Sequence, residues 1–257
     1  MHNIIALACL GLLTTAFVGC SDSESSAPAA ANIDRDRQRT EDVIKFERSQ
    51  GKDHGYTDEE MQEIMKELEA SPVFKNKFLG IPTIQNPSDA WIVMEIMYET
   101  KPDLIVETGT HKGGSATLWA IVLEHINPDG RVVTIDIEDK RGKRSTSLRI
   151  NQEKVTFLLG SSTDPKIVAD VHRRAEGKQV LVILDSLHSK DHVMDELEAY
   201  APLVSVGGYI IVQDTTVGPL GAIDEFLAAT DSFVADRSRE RYPDTSSVRG
   251  FLKRVKP

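Results

Sequence analysis

Short apolar runs alternate with amphipathic stretches from about residue 100 onward, and this alternation predicts the secondary structure. Five runs have the composition of buried strands, at 104–106, 132–135, 155–159, 180–184 and 209–212. Helical patterns lie between them, at 115–125, 164–175 and 192–203. Each parallel strand needs a helical crossover to reach the next, so the pattern predicts a parallel sheet covered on both faces.

The C-terminal end departs from this alternation. After a predicted helix over 220–229, two apolar stretches at 233–235 and 250–255 follow with no helix marked between them. Strands joined without a helical crossover are expected to pair antiparallel. The predicted fold class is therefore α/β, with a mainly parallel sheet, an antiparallel C-terminal strand pair and helices on both faces. It resembles the Rossmann-like class I methyltransferase fold more than a dehydrogenase.

Two helices are predicted ahead of this sheet. Residues 57–60 form a capping box, and apolar residues follow at helical spacing up to Leu68. We assign residues 35–100 to a helical segment that packs on the core, and residues 101–257 to the main domain. The second helix is expected from Pro87 to just before Lys101, and its predicted core face comprises Trp91, Met94, Ile96, Met97 and Tyr98.

The first 34 residues have the pattern of an export signal followed by a tether. Residues 4–18 are almost wholly apolar but fall short of the roughly 20 residues that a membrane-spanning helix needs. They end in Phe17-Val18-Gly19-Cys20, which resembles a lipobox, the motif whose cysteine is lipidated. We expect a signal peptide over 1–19, then lipidated Cys20 and a flexible Ser/Ala/Pro-rich tether over 20–34. This predicts a membrane-anchored lipoprotein of a bacterial cell envelope, on its periplasmic or outer face; an uncleaved anchor and a misassigned start codon are the alternatives.

Composition narrows the range of partners. The 257 residues are 40% hydrophobic and carry a net charge of -10, which suits one globular domain with an appendage and argues against a nucleic-acid partner. The two cysteines, Cys9 and Cys20, both lie at the N-terminus, so no disulfide can stabilise the body. A local basic cluster is interpreted as a solvated loop; its members are Lys140, Arg141, Lys143 and Arg144.

A glycine-rich loop follows the first predicted strand of the main domain and leads into a helix at Ser115. Glycines let the backbone approach a ligand closely, and a helix N-terminus presents free N–H groups. Asp136 ends the second strand, where an acidic residue can bind ribose hydroxyls or, alternatively, cap a turn. Glu107 would repel a pyrophosphate, but it suits the cationic amino-acid moiety of S-adenosylmethionine. The loop therefore favours this cofactor over NAD.

Five sequence stretches together carry a family resemblance. They read PDLIVETGT at 102–110, GGSA at 113–116, LDSLHS at 184–189, HVMDEL at 192–197 and VQDT at 212–215. From about Trp91 to its end, the chain resembles the cephalosporin hydroxylase and rhamnosyl O-methyltransferase family. The resemblance implies a divalent cation such as Mg²⁺ held by Asp185 and Asp214, with Gln213, which stands where some members carry Glu, as a third candidate ligand. It also implies contacts to S-adenosylmethionine from Glu107, Gly109, Gly113, Ser115 and Asp136, with Ser161 near the adenine.

The resulting hypothesis is methyl transfer from S-adenosylmethionine to a hydroxyl group on a small-molecule acceptor: a sugar, a lipid or a secondary metabolite. A cation would lower the pKa of that hydroxyl. Asp185 and His188 are the candidate catalytic residues, with His188 as general base or, alternatively, a structural hydrogen-bonding group.

Two other functions stay open at this point. One is a hydroxylase, as half of the family name implies, although the sequence shows no paired-histidine and carboxylate pattern for iron. The other is a non-catalytic binding protein that kept the fold, because an envelope location would separate it from cytosolic S-adenosylmethionine. The candidate partners are a small-molecule hydroxyl acceptor, a membrane through the lipid anchor, and a second copy of the chain in a homo-oligomer.

Overall fold

The computed structural model describes residues 75–257; the predicted signal peptide, Cys20, the tether and the helix near residue 60 lie outside that range. No helix within residues 75–257 combines the length and apolar character needed to cross a bilayer. In chain order the elements are β1 (Lys77–Phe78), β2 (Ile81–Pro82), α1 (Pro87–Thr100), β3 (Leu104–Thr108), α2 (Gly114–Ile126), β4 (Arg131–Asp136), α3 (Lys143–Ser147), α4 (Arg149–Lys154), β5 (Val155–Leu159), α5 (Pro165–Ala175), β6 (Val180–Leu184), α6 (Lys190–Tyr200), β7 (Tyr209–Val212), α7 (Leu220–Ala229), β8 (Phe233–Ala235) and β9 (Phe251–Arg254).

Seven strands form the main sheet, in the order β5-β4-β3-β6-β7-β9-β8. The five strands from β5 to β7 run parallel, whereas β9 lies antiparallel to both β7 and β8. The predicted parallel core and antiparallel C-terminal pair are therefore confirmed. Within this sheet, the chain first forms the central strand β3, then β4 and β5 on one side of it, and then crosses to the other side to form β6. The strand order thus reverses between β3 and β6, the kind of position where open α/β sheets bind ligands.

Two hydrophobic clusters cover the two faces of this sheet. Ile105 and Leu181 face α1 and α2 in one cluster, while Val106 and Val182 face α5, α6 and α7 in the other. Successive side chains of a strand point to opposite faces. Both faces of the central strands are buried, so their sequences are continuous apolar runs instead of alternating ones.

Helix α1 packs on the sheet through a different face from the one the sequence analysis assigned. Ile92 and Ile96 are buried, but 56% of Trp91 and 67% of Tyr98 remain exposed. The prediction that these two aromatic residues belong to the core is therefore wrong. Residues 91 and 98 are seven apart, so they share one side of the helix, and it is the opposite side that meets the sheet. Trp91 instead donates its indole N–H to Glu95 on the same exposed face, at 3.0 Å.

The hairpin of β1 and β2 and the short helices α3 and α4 were not predicted from the sequence. The basic cluster begins this helical stretch, and part of it is anchored. The Arg141 guanidinium lies 4.0 Å from the centre of the Phe157 ring and forms an ion pair with Asp139. The Arg144 side chain donates to the carbonyl of Leu79 in the hairpin. Two of the four basic residues, Arg141 and Arg144, therefore contact other parts of the protein, so the cluster is not simply a solvated loop.

Candidate functional site

The candidate site lies at the carboxyl ends of the central strands, around the point where the strand order reverses. Asp136 ends β4, Asp185 follows β6, and Asp214 comes two residues after β7. The glycine-rich loop after β3 occupies the middle of the same edge. Parallel packing of these strands therefore brings together groups from four separate parts of the chain.

Asp185 and Asp214 form, together with His188, a cluster suited to a cation. Asp185, His188 and Asp214 each offer one ligand atom, and the three atoms lie within 4.8 Å of one another. His188 Nε2 is 3.5 Å from Asp214 Oδ2. Burial raises the pKa of Asp185 well above its usual range, and the nearby carboxylates of Asp214, Glu107 and Glu196 raise it further. Such crowding of like charges favours uptake of a proton or a cation.

Two buried glutamines fix the orientation of Asp185. Gln85 Nε2 donates to Asp185 Oδ2 at 2.9 Å and to Gln213 Oε1 at 2.7 Å, and Gln213 Nε2 donates back to Gln85 Oε1 at 2.8 Å. Gln213, the third predicted ligand, uses its amide oxygen as the acceptor for Gln85, and its contact with a metal stays a prediction. Gln85 was not among the predicted site residues, because it lies 100 residues from Asp185 in a stretch without periodicity.

The glycines of the loop are required by close packing within the protein. Gly109 has a φ of +87°, and a Cβ on it would lie 1.8 Å from the carbonyl oxygen of Asp185. Gly113 has a φ of +80°, and its Cβ would come within 2.7 Å of Ser145 Oγ. Packing within the protein therefore requires glycine at both positions, whether or not a ligand binds. Their contacts with S-adenosylmethionine stay a prediction.

Glu107 lies in the core, which differs from the ligand-facing position that the sequence suggested. Its carboxylate is fully buried and accepts hydrogen bonds from Trp119 Nε1 at 2.9 Å and Thr134 Oγ1 at 2.6 Å. Ser115, also buried, hydrogen-bonds to the same carboxylate. Burial nevertheless outweighs these donors and raises the pKa of Glu107 to about 7. Glu107 and Ser115 therefore interact with each other, and their contacts with the cofactor stay predictions.

Asp136 and Ser161 lie at the ends of neighbouring strands. Asp136 accepts hydrogen bonds from the backbone N–H groups of His111 at 2.8 Å and Glu138 at 3.1 Å, which is the turn-capping role considered as the alternative. Ser161 Oγ is 3.0 Å from Thr163 Oγ1. The aliphatic side chains beside them are exposed, 47% for Ile137 and 62% for Leu159. This edge therefore combines polar groups with open apolar surface.

A buried network connects the Ser161 loop to the Asp185 loop. Glu196 Oε1 accepts from Ser162 Oγ at 2.5 Å and from Ser186 Oγ at 2.6 Å, and His192 Nε2 is 3.4 Å away. Burial acts to raise the pKa of Glu196, but the charge and hydrogen bonding of His192, with the two serines, hold it below its usual range. None of the members of this network was among the predicted site residues.

Comparison with known proteins gives one family match and several named relatives. The family model described as Rhamnosyl O-methyltransferase/CmcI matches residues 71–255. A protein named rhamnosyl O-methyltransferase from Mycobacterium tuberculosis is 34% identical over 203 residues, covering 70% of this chain and 78% of the relative. One of the same name from Mycobacterium leprae is 31% identical over 193 residues, covering 69% and 82%.

Solved structures agree on the fold. A form of CmcI with Mg and SAM has a TM-score of 0.59 at 20% identity, and an apo form of CmcI has a TM-score of 0.58 at 20% identity. Each similarity covers 80% of this chain and 81% of the other. At this level of identity the likeness establishes a shared architecture. The predicted class I methyltransferase fold is confirmed.

Proposed function

The chain belongs to the rhamnosyl O-methyltransferase/CmcI family, and from that premise we propose that it methylates a sugar hydroxyl with S-adenosylmethionine and a divalent cation. The observation that carries the proposal is the cluster of Asp185, His188 and Asp214 beside the glycine-rich loop. The relatives named as rhamnosyl O-methyltransferases support a sugar as the acceptor.

The cofactor is proposed to lie along the edge formed by β3, β4 and β5. Asp136 and Ser161 are half-buried polar groups at this edge, and exposed Ile137 and Leu159 lie beside them. A polar group next to apolar surface suits a nucleoside, which has a hydroxylated ribose and a flat, weakly polar base. The residues present therefore fit S-adenosylmethionine.

The cation is proposed to lie between Asp185 and Asp214, whose strands are adjacent in the sheet. Carboxylate oxygens are the ligands that Mg²⁺ prefers, and Gln85 holds one of them in place. A cation bound there would lower the pKa of the acceptor hydroxyl. The residues thus fit a divalent cation by both their chemistry and their mutual distances.

His188 is proposed to accept the proton of the acceptor hydroxyl. Its Nε2 lies 3.5 Å from Asp214 Oδ2, at the side of the proposed cation site where the acceptor would bind. S-adenosylmethionine, when bound, would supply an electrophilic methyl carbon, which the acceptor oxygen would take up as the carbon–sulfur bond breaks and the donor leaves as a thioether. The protein's contribution is to align the two reactants and to take up the proton.

The test measures methyl transfer to a rhamnosylated acceptor by the full-length protein, with and without chelator. We expect Asp185→Asn to abolish cation-dependent turnover while the affinity for S-adenosylmethionine changes by only a few-fold. Glu225→Gln is the matched control, because this exposed carboxylate on α7 pairs with Lys190 and lies outside the cluster. Full activity in excess chelator would overturn the cation's role. Binding without turnover would instead support the non-catalytic alternative.

We also propose that Cys20 is lipidated and attaches the protein to a membrane of the cell envelope. The support is the apolar run that ends in a small residue and a cysteine, followed by a polar tether. Cys20→Ser is expected to move the protein into the soluble fraction, whereas Cys9→Ser, within the apolar run, should leave it attached. A Cys20→Ser variant that stays with the membrane, together with a wild type that incorporates no labelled acyl chain, would contradict the proposal.

A further inference from the structure

Asp89, in the first turn of α1, is a buried carboxylate that binds a distant segment of the chain. It is only 2% exposed. It accepts four hydrogen bonds from residues 245–247: from Thr245 Oγ1 at 2.5 Å, from Ser246 N at 2.9 Å and Oγ at 3.0 Å, and from Ser247 Oγ at 3.1 Å. A carboxylate with this many donors fixes the position of the segment that supplies them.

The same segment also forms hydrogen bonds with Thr215, the residue that follows Asp214. Thr215 is fully buried, and its backbone N–H donates to the carbonyl of Ser246 at 2.9 Å. Its hydroxyl is 2.8 Å from the carbonyl of Val248 and 3.2 Å from that of Ser246. Thr215 therefore cannot move without displacing the segment that Asp89 secures.

The backbone of Asp214 needs such support. It has a φ of 49° and a ψ of 40°, in the left-handed region that residues with a side chain adopt rarely. Conformations of this kind persist where the surrounding structure imposes them. The hydrogen bonds of Thr215 supply that constraint at the adjoining residue, and the conformation directs the Asp214 carboxylate towards His188.

We propose that Asp89 is a positioning residue for Asp214, acting through residues 245–248 and Thr215. Gln85, four residues earlier, bonds directly to Asp185, so the start of α1 sets the geometry of both carboxylates in the cluster. Neither contact reaches the reacting atoms. This inference rests on the proposed function, because it concerns the cation site of that function.

The test is calorimetric titration of the full-length protein with Mg²⁺ in the presence of S-adenosylmethionine. Loss of an outer-shell partner commonly weakens metal binding by about ten- to a hundredfold, and we expect a weakening in that range for Asp89→Asn. The affinity for S-adenosylmethionine should stay within about twofold. The kcat should fall at low Mg²⁺ and recover at saturating Mg²⁺, a split that a merely structural role would not produce.

Two further variants make the result decisive. Glu95→Gln is the control. Its ion pair with Arg241 also joins α1 to the stretch of chain that leads into residues 245–248, but on the outside of the protein. This variant should leave Mg²⁺ affinity unchanged. Thr215→Val removes the hydroxyl link inside the protein, should weaken Mg²⁺ binding, and decides the matter if Asp89→Asn does not fold. A wild type that binds no cation overturns the proposed site and this inference together. A wild type that binds Mg²⁺, with Asp89→Asn and Thr215→Val binding equally tightly, overturns the inference alone.

Discussion

Glu107 keeps its carboxyl group in the core, between Trp119 of α2 and Thr134 of β4. Its pKa in the folded protein is about 7, against a usual value near 4.5. The folded state therefore binds the proton more tightly than the unfolded state. The resulting stability is fully present below pH 4.5 and is lost as the pH rises through about 7.

Glu107→Gln is expected to remove this pH dependence. The shift corresponds to about 3 kcal/mol of the free energy of unfolding, lost by the wild type between pH 4.5 and values above 7. The amide keeps the shape of the side chain without the charge, so the variant should become more stable relative to the wild type as the pH rises. Urea unfolding at pH 5, 6, 7 and 8 measures the difference, and equal pH slopes for the two proteins would contradict the assignment.

Residues whose position follows from a strand end were predictable, and those fixed by tertiary packing were not. Asp185 and Asp214 each follow an apolar run, and the family resemblance implied that the two residues share a cation, so their encounter was expected. Gln85 and Asp89 have partners 100 to 158 residues away, in segments that carry no periodic signal. The burial of Glu107 depends on Trp119 reaching across from α2, which no local pattern records.

At the scale of elements, the turn after β3 depends on how closely β3 and β6 approach each other. Gly109 N donates to the carbonyl of Ile135 at 2.8 Å, and its Cα faces the carbonyl of Asp185. Three strands therefore meet at this one position. The loop can follow this path because glycine adopts a positive φ and has no Cβ.

Gly109→Ala is expected to destabilise the fold severely, because its Cβ would lie 1.8 Å from backbone that cannot rotate away. Gly177→Ala is the matched control: φ is +71° there, but a Cβ would meet nothing within 4 Å. That substitution should cost only the left-handed strain, about 1 to 2 kcal/mol. Thermal unfolding compares the two, and a Gly109→Ala protein as stable as Gly177→Ala would show that the β3 turn is less constrained than its contacts indicate.

Helix α1 shows what periodicity can and cannot predict. Its limits were predicted well, because Asn86 caps the start with hydrogen bonds to two backbone N–H groups and Lys101 ends it in a left-handed conformation. Its buried face was predicted wrongly in part, since apolar residues occur on both sides of the helix. Only the packing into the hydrophobic cluster on this face of the sheet selects the side with Ile92 and Ile96 and leaves Trp91 in solvent.

At the scale of the whole molecule, the alternation of strands and helices was sufficient to predict the sheet. Parallel strands with helical crossovers admit few arrangements, and the lack of a helix between the last two strands fixed their antiparallel pairing. The hairpin of β1 and β2 has strands of only two residues each, too short for a periodic pattern to identify. The end of the hairpin nevertheless packs closely against the start of α2, since a Cβ on Gly114 would lie 2.0 Å from Thr83 Oγ1.

The cofactor and the cation are expected to stabilise the whole domain, because their proposed sites draw on the ends of β3, β4, β5, β6 and β7 and exist only in the folded state. A ligand at a hundred times its Kd contributes about 2.7 kcal/mol, which for a domain of this size raises the Tm by roughly 5 to 10 °C. Scanning calorimetry of the full-length protein in chelator, then with S-adenosylmethionine, Mg²⁺ or NAD, measures these shifts. Asp136→Ala should lose most of the cofactor shift, whereas Asp185→Asn should retain it and lose the Mg²⁺ shift. A larger Tm increase with NAD than with S-adenosylmethionine would show that the edge beside Asp136 and Ser161 binds a different nucleotide.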